Sequence, residues 1–128
     1  MRVQSLDHVV LTVRDLAASR DWYVRVLGMT AQTFGEGRVA LHFGNQKLNL
    51  HPVAEPFDPH AETPTPGSAD VCFLTDTAIN DVQAHLMGQE VMVLEGPVSR
   101  TGAQGTIVSV YVRDPDGNLV EIANRSAS

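Results

Sequence analysis

Four side chains suited to metal or acid–base chemistry sit among apolar neighbours: His8 in LDHVVL, His51 in NLHPV, Asp70 in SADVCF and Glu121 in LVEIA. Imidazole nitrogens and carboxylate oxygens make a mixed donor set for a divalent first-row metal, and the same groups move protons near neutral pH. With no cysteine among them, a structural thiolate site is not indicated. Glu121 poses the sharpest question, because Val120 and Ile122 flank it in a stretch that reads as a strand. Alternation along a strand sends Val120 and Ile122 to one face and Glu121 to the other, which is either solvent or a cleft. For a lone carboxylate, solvent is the ordinary answer.

The remaining polar candidates divide by position. Arg100 and Thr101 fall in a glycine-containing stretch, 99–105, read as a loop able to close over an anionic substrate. Tyr111 precedes the turn DPDG and can reach a cleft as a proton donor or pack at an edge. His42, His60 and His85 read as surface or locally satisfied histidines. Cys72, the only cysteine, excludes an internal disulfide, suits a reducing compartment, and in ADVCFL reads as an inert core thiol.

Two similar runs of elements must position these residues. LDHVVLTV (6–13) is strand-like; Asp15 then caps a helix with Leu16, Tyr23, Val26 and Leu27 on one face, and Gly28 stops it. Strands follow at 30–35, 38–44 and 46–53. Residues 52–67 hold five of the seven prolines and read as a surface connection. The order then restarts with a strand at 68–75 and a helix at 78–88, its inner side Ile79, Val82, Leu86 and Met87 and its stop Gly88. Strands at 91–96, 106–113 and 118–124 complete it. Strand, helix, strand, strand, strand thus occurs twice. The expected architecture is α+β, one domain spanning 1–128, with module one at about 5–53, a connection at about 54–67 and module two at about 68–124. Matching the halves sets His8 opposite Asp70 and His51 opposite Glu121. Four such residues in matched places favour a cleft over solvated faces.

Composition narrows the partners. The formal net charge is −6 with no basic run, which argues against nucleic acid and anionic membrane surfaces. There is no apolar run of about 18 residues and no signal-like N-terminus, so a soluble cytoplasmic protein with a small-molecule substrate is expected.

The stretches LDHVVLTVRDLAASRDWYVRVLGM and YVRDPDGNLVEI resemble the vicinal oxygen chelate superfamily, which includes glyoxalase I, bleomycin-resistance proteins, fosfomycin-resistance transferases and extradiol dioxygenases. GSADVCFLTDTAINDV with EGPVSRTGAQG is similar, within it, to small glyoxalase-domain or virulence-associated proteins. The resemblance implies paired βαβββ modules whose curved mixed sheet cups a divalent metal (Zn, Ni, Mn, Co or Fe), with ligands at His8, His51, Asp70 and Glu121. It also implies a homodimer. The implied activity is that of a glyoxalase-type lyase or isomerase, which binds neighbouring oxygens of a substrate at the metal and stabilises an enediolate-like intermediate, with Glu121 as base. An extradiol Fe(II) dioxygenase would draw on His8, His51 and Glu121. It is the alternative reaction, although the His that precedes the Tyr in the dioxygenase signature is missing from TGAQGTIVSV. A metal-free, ligand-sequestering resistance protein is the alternative of a different kind; with 5% aromatic residues the chain offers thin lining for a flat drug.

Overall fold

The structure is a computed structural model and describes residues 1–126. The chain divides into two compact units, Met1–Gly67 and a second from Ser68 onward. In the first, β1 (His8–Val13) leads into α1 (Leu16–Leu27), followed by β2 (Thr30–Phe34), β3 (Arg38–Phe43) and β4 (Gln46–Pro52). The strands form one sheet in the order β1-β4-β3-β2, with β1 parallel to β4 and the other pairs antiparallel. In the second unit β5 (Asp70–Leu74) leads into α2 (Ile79–Gly88), then β6 (Glu95–Gly102), β7 (Gly105–Arg113) and β8 (Leu119–Arg125), ordered β5-β8-β7-β6. Two tandem βαβββ modules of mixed sheet are therefore present.

Each sheet has a helix-covered face and an open one. In the first unit Leu11, Val13, Val39, Leu41, Leu48 and Leu50 are buried with Trp22, Tyr23 and Val26 of α1. Helix α1 starts where the Asp15 carboxylate accepts the Ala18 N–H at 3.0 Å, and ends at Gly28, whose φ of 68° suits glycine. Its buried face is Ser19, Trp22, Tyr23 and Val26, with Leu16 and Leu27 only half-buried. In the second unit Val110, Val112, Val120 and Ile122 are buried with Val82 and Leu86 of α2. Strand alternation then directs His8, Asn49, His51, Asp70 and Glu121 to the open faces.

Three details differ from the sequence expectation. Gly88 is the last helical residue of α2 rather than its stop. The left-handed turn falls on Glu90 (φ 60°), and Met87 points outward at 80% exposure. Residues 91–94 form no strand, although VMVL is rich in strand formers. Conversely, the first part of the stretch read as a loop, 99–102, is the second half of β6. Its glycines, Pro97 and polar residues suit an edge strand with one side unpaired, and the register slips between Glu95 and Val98, a β-bulge. At the bulge, Gly96 (φ 112°) lies so close to β7 that a Cβ would run into the Ser109 carbonyl and the Val110 Cα. Arg100 and Thr101 therefore stand on a strand, opposite Ile107 and Thr106.

Candidate functional site

On the first sheet the open face carries His8, Val10 and Thr12 of β1 beside Lys47, Asn49 and His51 of β4, in that register. His8 is exposed, and its Nδ1 pairs with the Asp7 carboxylate at 2.8 Å, holding the Asp7 carboxyl below its ordinary value. A carboxylate on one ring nitrogen orients an imidazole for a ligand on the other. His51 is 8% exposed. The connection after β4 returns over it, setting the Phe57 ring edge-on to the imidazole at 5.4 Å, with the Arg38 guanidinium 4.7 Å from the same ring. Burial first, then the Arg38 and His60 charges, push the His51 imidazole below its ordinary value, so the ring is neutral at pH 7. Its Nδ1 is buried with no hydrogen-bond partner among the described residues, and so is the Asn49 Oδ1 two residues away.

Such orphaned buried atoms are uncommon, because leaving one unpaired costs about 1–3 kcal/mol. Asn49 was missed by sequence reasoning that looked for histidines and carboxylates. The signal was nevertheless there: Asn49 stands between Leu48 and Leu50 as Glu121 stands between Val120 and Ile122. The parallel pairs make the equivalence firm. His8 pairs with Lys47 and Val10 with Asn49, while Asp70 pairs with Leu119 and Cys72 with Glu121. If His8 matches Asp70, then Asn49, not His51, matches Glu121. The repeat alignment that set His51 opposite Glu121 is shifted by two residues, because it matched residue types rather than strand register.

His42 meets Gln32 at 2.8 Å, a satisfied histidine as expected. His60, which had no partner evident in the sequence, lies 3.4 Å from the Asp58 carboxylate and 2.9 Å from the Ala61 carbonyl.

On the second sheet Cys72, Glu121 and Tyr111 lie in one row across β5, β8 and β7. Cys72 is exposed on this face rather than buried in a core, since it shares the parity of Asp70. Desolvation, with Glu121 next to it, pushes its thiol up to about 11. Ser109, fully buried, donates its hydroxyl to Glu121 Oε2 at 2.5 Å. The Tyr111 hydroxyl accepts from Arg100 Nε at 3.0 Å, and Arg100 Nη2 donates to Glu95 at 3.0 Å. These residues line a hollow of about 400 Å3 bounded by Cys72, Leu74, Arg100, Ile107, Tyr111, Glu121 and Arg125, with Thr101 and Gly102 at its β6 side. Asp70, at the start of β5, is exposed on the same face and outside that lining.

The turn before β8 fixes this row. The buried Asp114 carboxylate accepts the Asp116 and Asn118 N–H groups at 2.9 Å each and the Asn118 side-chain amide at 2.8 Å. Asn118 Oδ1 in turn accepts the Ala69 N–H at 2.9 Å, tying the start of β8 to the start of β5. The signature DPDGN is thus the clamp that sets the register of Glu121 against Cys72. Among the described residues no group of three His, Cys, Asp or Glu side chains gathers as a metal site would need. No helix among them is long and apolar enough to cross a membrane.

Paired βαβββ units, each with an open face bearing a polar residue between two apolar ones, define a glyoxalase-type fold. The chain belongs to the Glyoxalase/Bleomycin resistance protein/Dioxygenase superfamily, whose pattern matches residues 5–122. Virulence protein STM3117 of Salmonella typhimurium is 52% identical over 123 residues, covering 96% of this chain and 85% of that protein. Its crystal structure superposes with a TM-score of 0.96 at 51% identity, over 98% of this chain and 100% of that one. Glyoxalase domain-containing protein RDO1 of Mycosarcoma maydis is 51% identical over 124 residues, 97% of this chain and 70% of that protein. More distant structures share the fold. Lactoylglutathione lyase of Agrobacterium tumefaciens is 25% identical, with a TM-score of 0.74 over 96% of this chain and 95% of that one. TnmS3, an antibiotic binding protein of Streptomyces sp. CB03234, is 22% identical, with 0.77 over 98% and 99%.

Proposed function

We propose that this protein is a divalent-metal-dependent enzyme of glyoxalase type, a lyase or isomerase acting on a small carbonyl substrate and working as a homodimer. The observation that carries this reading is Glu121: a carboxylate on the open face of its sheet, steadied by the buried Ser109 hydroxyl and facing a hollow that also holds Tyr111 and Arg100. A carboxylate so placed can take a proton from the carbon beside a carbonyl and return it to the neighbouring carbon. The two carbons exchange oxidation level and no outside electrons are needed. Tyr111, with Arg100 donating to its oxygen, is placed to give a proton or hydrogen bond to the substrate oxygen.

Imidazole nitrogen and carboxylate or amide oxygen are the donor types a first-row divalent ion takes, although among the described residues no three His, Cys, Asp or Glu side chains gather. On the first sheet the orphaned Asn49 Oδ1 and His51 Nδ1 are the atoms that most need a partner; on the second the carboxylates are those of Asp70 and Glu121. When bound, such an ion supplies Lewis acidity to neighbouring substrate oxygens. His8 and His51 are offset by four residues along adjacent parallel strands, about 13 Å at the usual rise. That spacing suits an isomerase with one imidazole and several oxygen ligands better than the dioxygenase arrangement of two imidazoles on one iron. Deuterium uptake tests the reading. Protein loaded in turn with Zn, Ni, Mn, Co or Fe(II) is incubated in D2O with hydroxyketones and 2-oxo aldehydes, with and without a thiol. Wild type should incorporate deuterium beside the carbonyl, and Glu121→Gln should lose about 10²–10⁴-fold of the rate. Buffer-rate exchange throughout would hand the protein to the ligand-sequestering reading.

A further inference from the structure

The hollow on the second sheet has two chemically different ends. At one end lies the row of Cys72, Glu121 and Tyr111. Four residues further along the same strands, about 13 Å away at the Cα positions, Arg100, Ile107 and Arg125 form a second row across β6, β7 and β8. Between the rows stand Ser109 and Ala123, opposite one another, small and fully buried beneath the lining. Leu74 and Ile107 make the middle of the hollow apolar. The Arg100 guanidinium reaches back from the far row, and its bonds to Tyr111, Ser99 and Glu95 use three of its five N–H groups, leaving one on each terminal nitrogen. Among the described residues no hydrogen bond or ion pair engages the Arg125 guanidinium, although it lines the hollow.

We propose that Arg125, together with the unspent donors of Arg100, forms a subsite for a carboxylate, so that this hollow takes a small 2-oxo acid or related carbonyl compound with its apolar chain over Leu74 and Ile107. The inference rests on the proposed function only in placing the reacting carbon toward Glu121; the anion subsite stands on the second sheet by itself. Two guanidiniums on one face offer planar forks that match a carboxylate's two oxygens. The charges facing the hollow limit the guest to one negative charge: the Glu121 carboxylate lies on Ser109, Glu95 is already on Arg100, and Asp70 lies beyond Cys72. A dianion such as a phosphate ester meets more repulsion there. With the whole chain at −6, attraction must come from the local pair rather than from the overall field. The volume, about 400 Å3, is at the low end of small-molecule sites.

The test uses metal-free protein of residues 1–128, so its outcome is independent of whether a metal binds. Methyl resonances of Ile107 and Leu74 are followed as 2-oxohexanoate, its methyl ester and inorganic phosphate are titrated in. Variants are Arg125→Gln, and Arg20→Gln on α1 as a control with the same change of charge. The expected result is saturable shifts with 2-oxohexanoate, weakened about tenfold or more by Arg125→Gln and unchanged by Arg20→Gln. The ester should bind at least as weakly as the acid binds to the variant. The proposal is overturned if the acid produces no saturable shifts, if the ester matches the acid, if phosphate binds more tightly than the acid, or if the two variants behave alike.

Discussion

Replacing Asp114 with alanine should damage the second unit far more than a turn substitution ordinarily does. Asp114 is 5% exposed and its carboxylate accepts three hydrogen bonds, two from backbone N–H groups and one from the Asn118 side chain, itself 2% exposed. A bond to a charged acceptor is worth about 1.5–3 kcal/mol, and a buried donor left unpaired costs about 1–3 kcal/mol. The three share one acceptor and cannot be summed. Water reaching the opened turn recovers part of the loss, so the net expectation is roughly 3–5 kcal/mol. Against a total of about 5–15 kcal/mol for a domain, that is a large share. Urea unfolding followed by far-UV circular dichroism measures it. Amide exchange at Ala69, whose N–H is held by Asn118, reports whether the clamp between β5 and β8 has opened. A loss below about 1 kcal/mol with unchanged exchange at Ala69 would refute the assignment of DPDGN as the clamp that sets the Glu121 register.

Other perturbations probe separate parts of the account. Gly96→Ala meets the β7 backbone at a φ that side chains rarely adopt, and should cost about 1–3 kcal/mol and weaken 2-oxohexanoate binding by shifting Arg100, both read in one urea and titration series. Acidification should lower stability through His51. Its imidazole is held neutral in the fold but charges in the unfolded chain below its ordinary 6.5, so the unfolded state binds more protons and the urea midpoint falls as pH drops from there. His51→Gln should flatten that acid limb. With a thiol at about 11 against an ordinary 9.0, Cys72 should react with iodoacetamide at pH 8 about a hundredfold more slowly in native than in unfolded protein. Glu121→Gln should restore part of the rate, since the carboxylate is a lesser cause than burial.

Much of the fold was legible because its determinants are local. Asp15 and Gly28 bracket α1 with standard cap chemistry, the prolines of 52–67 separate the halves, and alternation places Leu48, Leu50, Val120 and Ile122 in cores. Strand β6 was not legible. Gly96 and Pro97 are loop residues by type, and only pairing with β7 at a sheet edge makes a strand of EGPVSRTG. Glu121 could be singled out from LVEIA, but its partners could not, since Ser109 and Arg100 reach it or its row from other strands. Asn49 shows the same boundary from the other side. Its sandwiching between leucines was visible, yet its equivalence to Glu121 depends on the offset between β1 and β4, which no single strand records. Cys72 has apolar neighbours in sequence and polar ones in space, because a strand's neighbours in sequence lie on its opposite face.

Metal content tests the central claim most directly. Untagged protein, exchanged against chelator-free buffer after exposure to Zn, Ni, Mn, Co and Fe(II) in turn, is analysed by plasma mass spectrometry for wild type, Asn49→Ala, His51→Ala and Glu121→Ala. The expected result is bound metal in wild type and loss of most of it in Glu121→Ala. Asn49→Ala and His51→Ala then decide whether their orphaned atoms are ligands. Wild type that stays empty with every ion, or Glu121→Ala that retains the metal, would contradict a metalloenzyme built around Glu121.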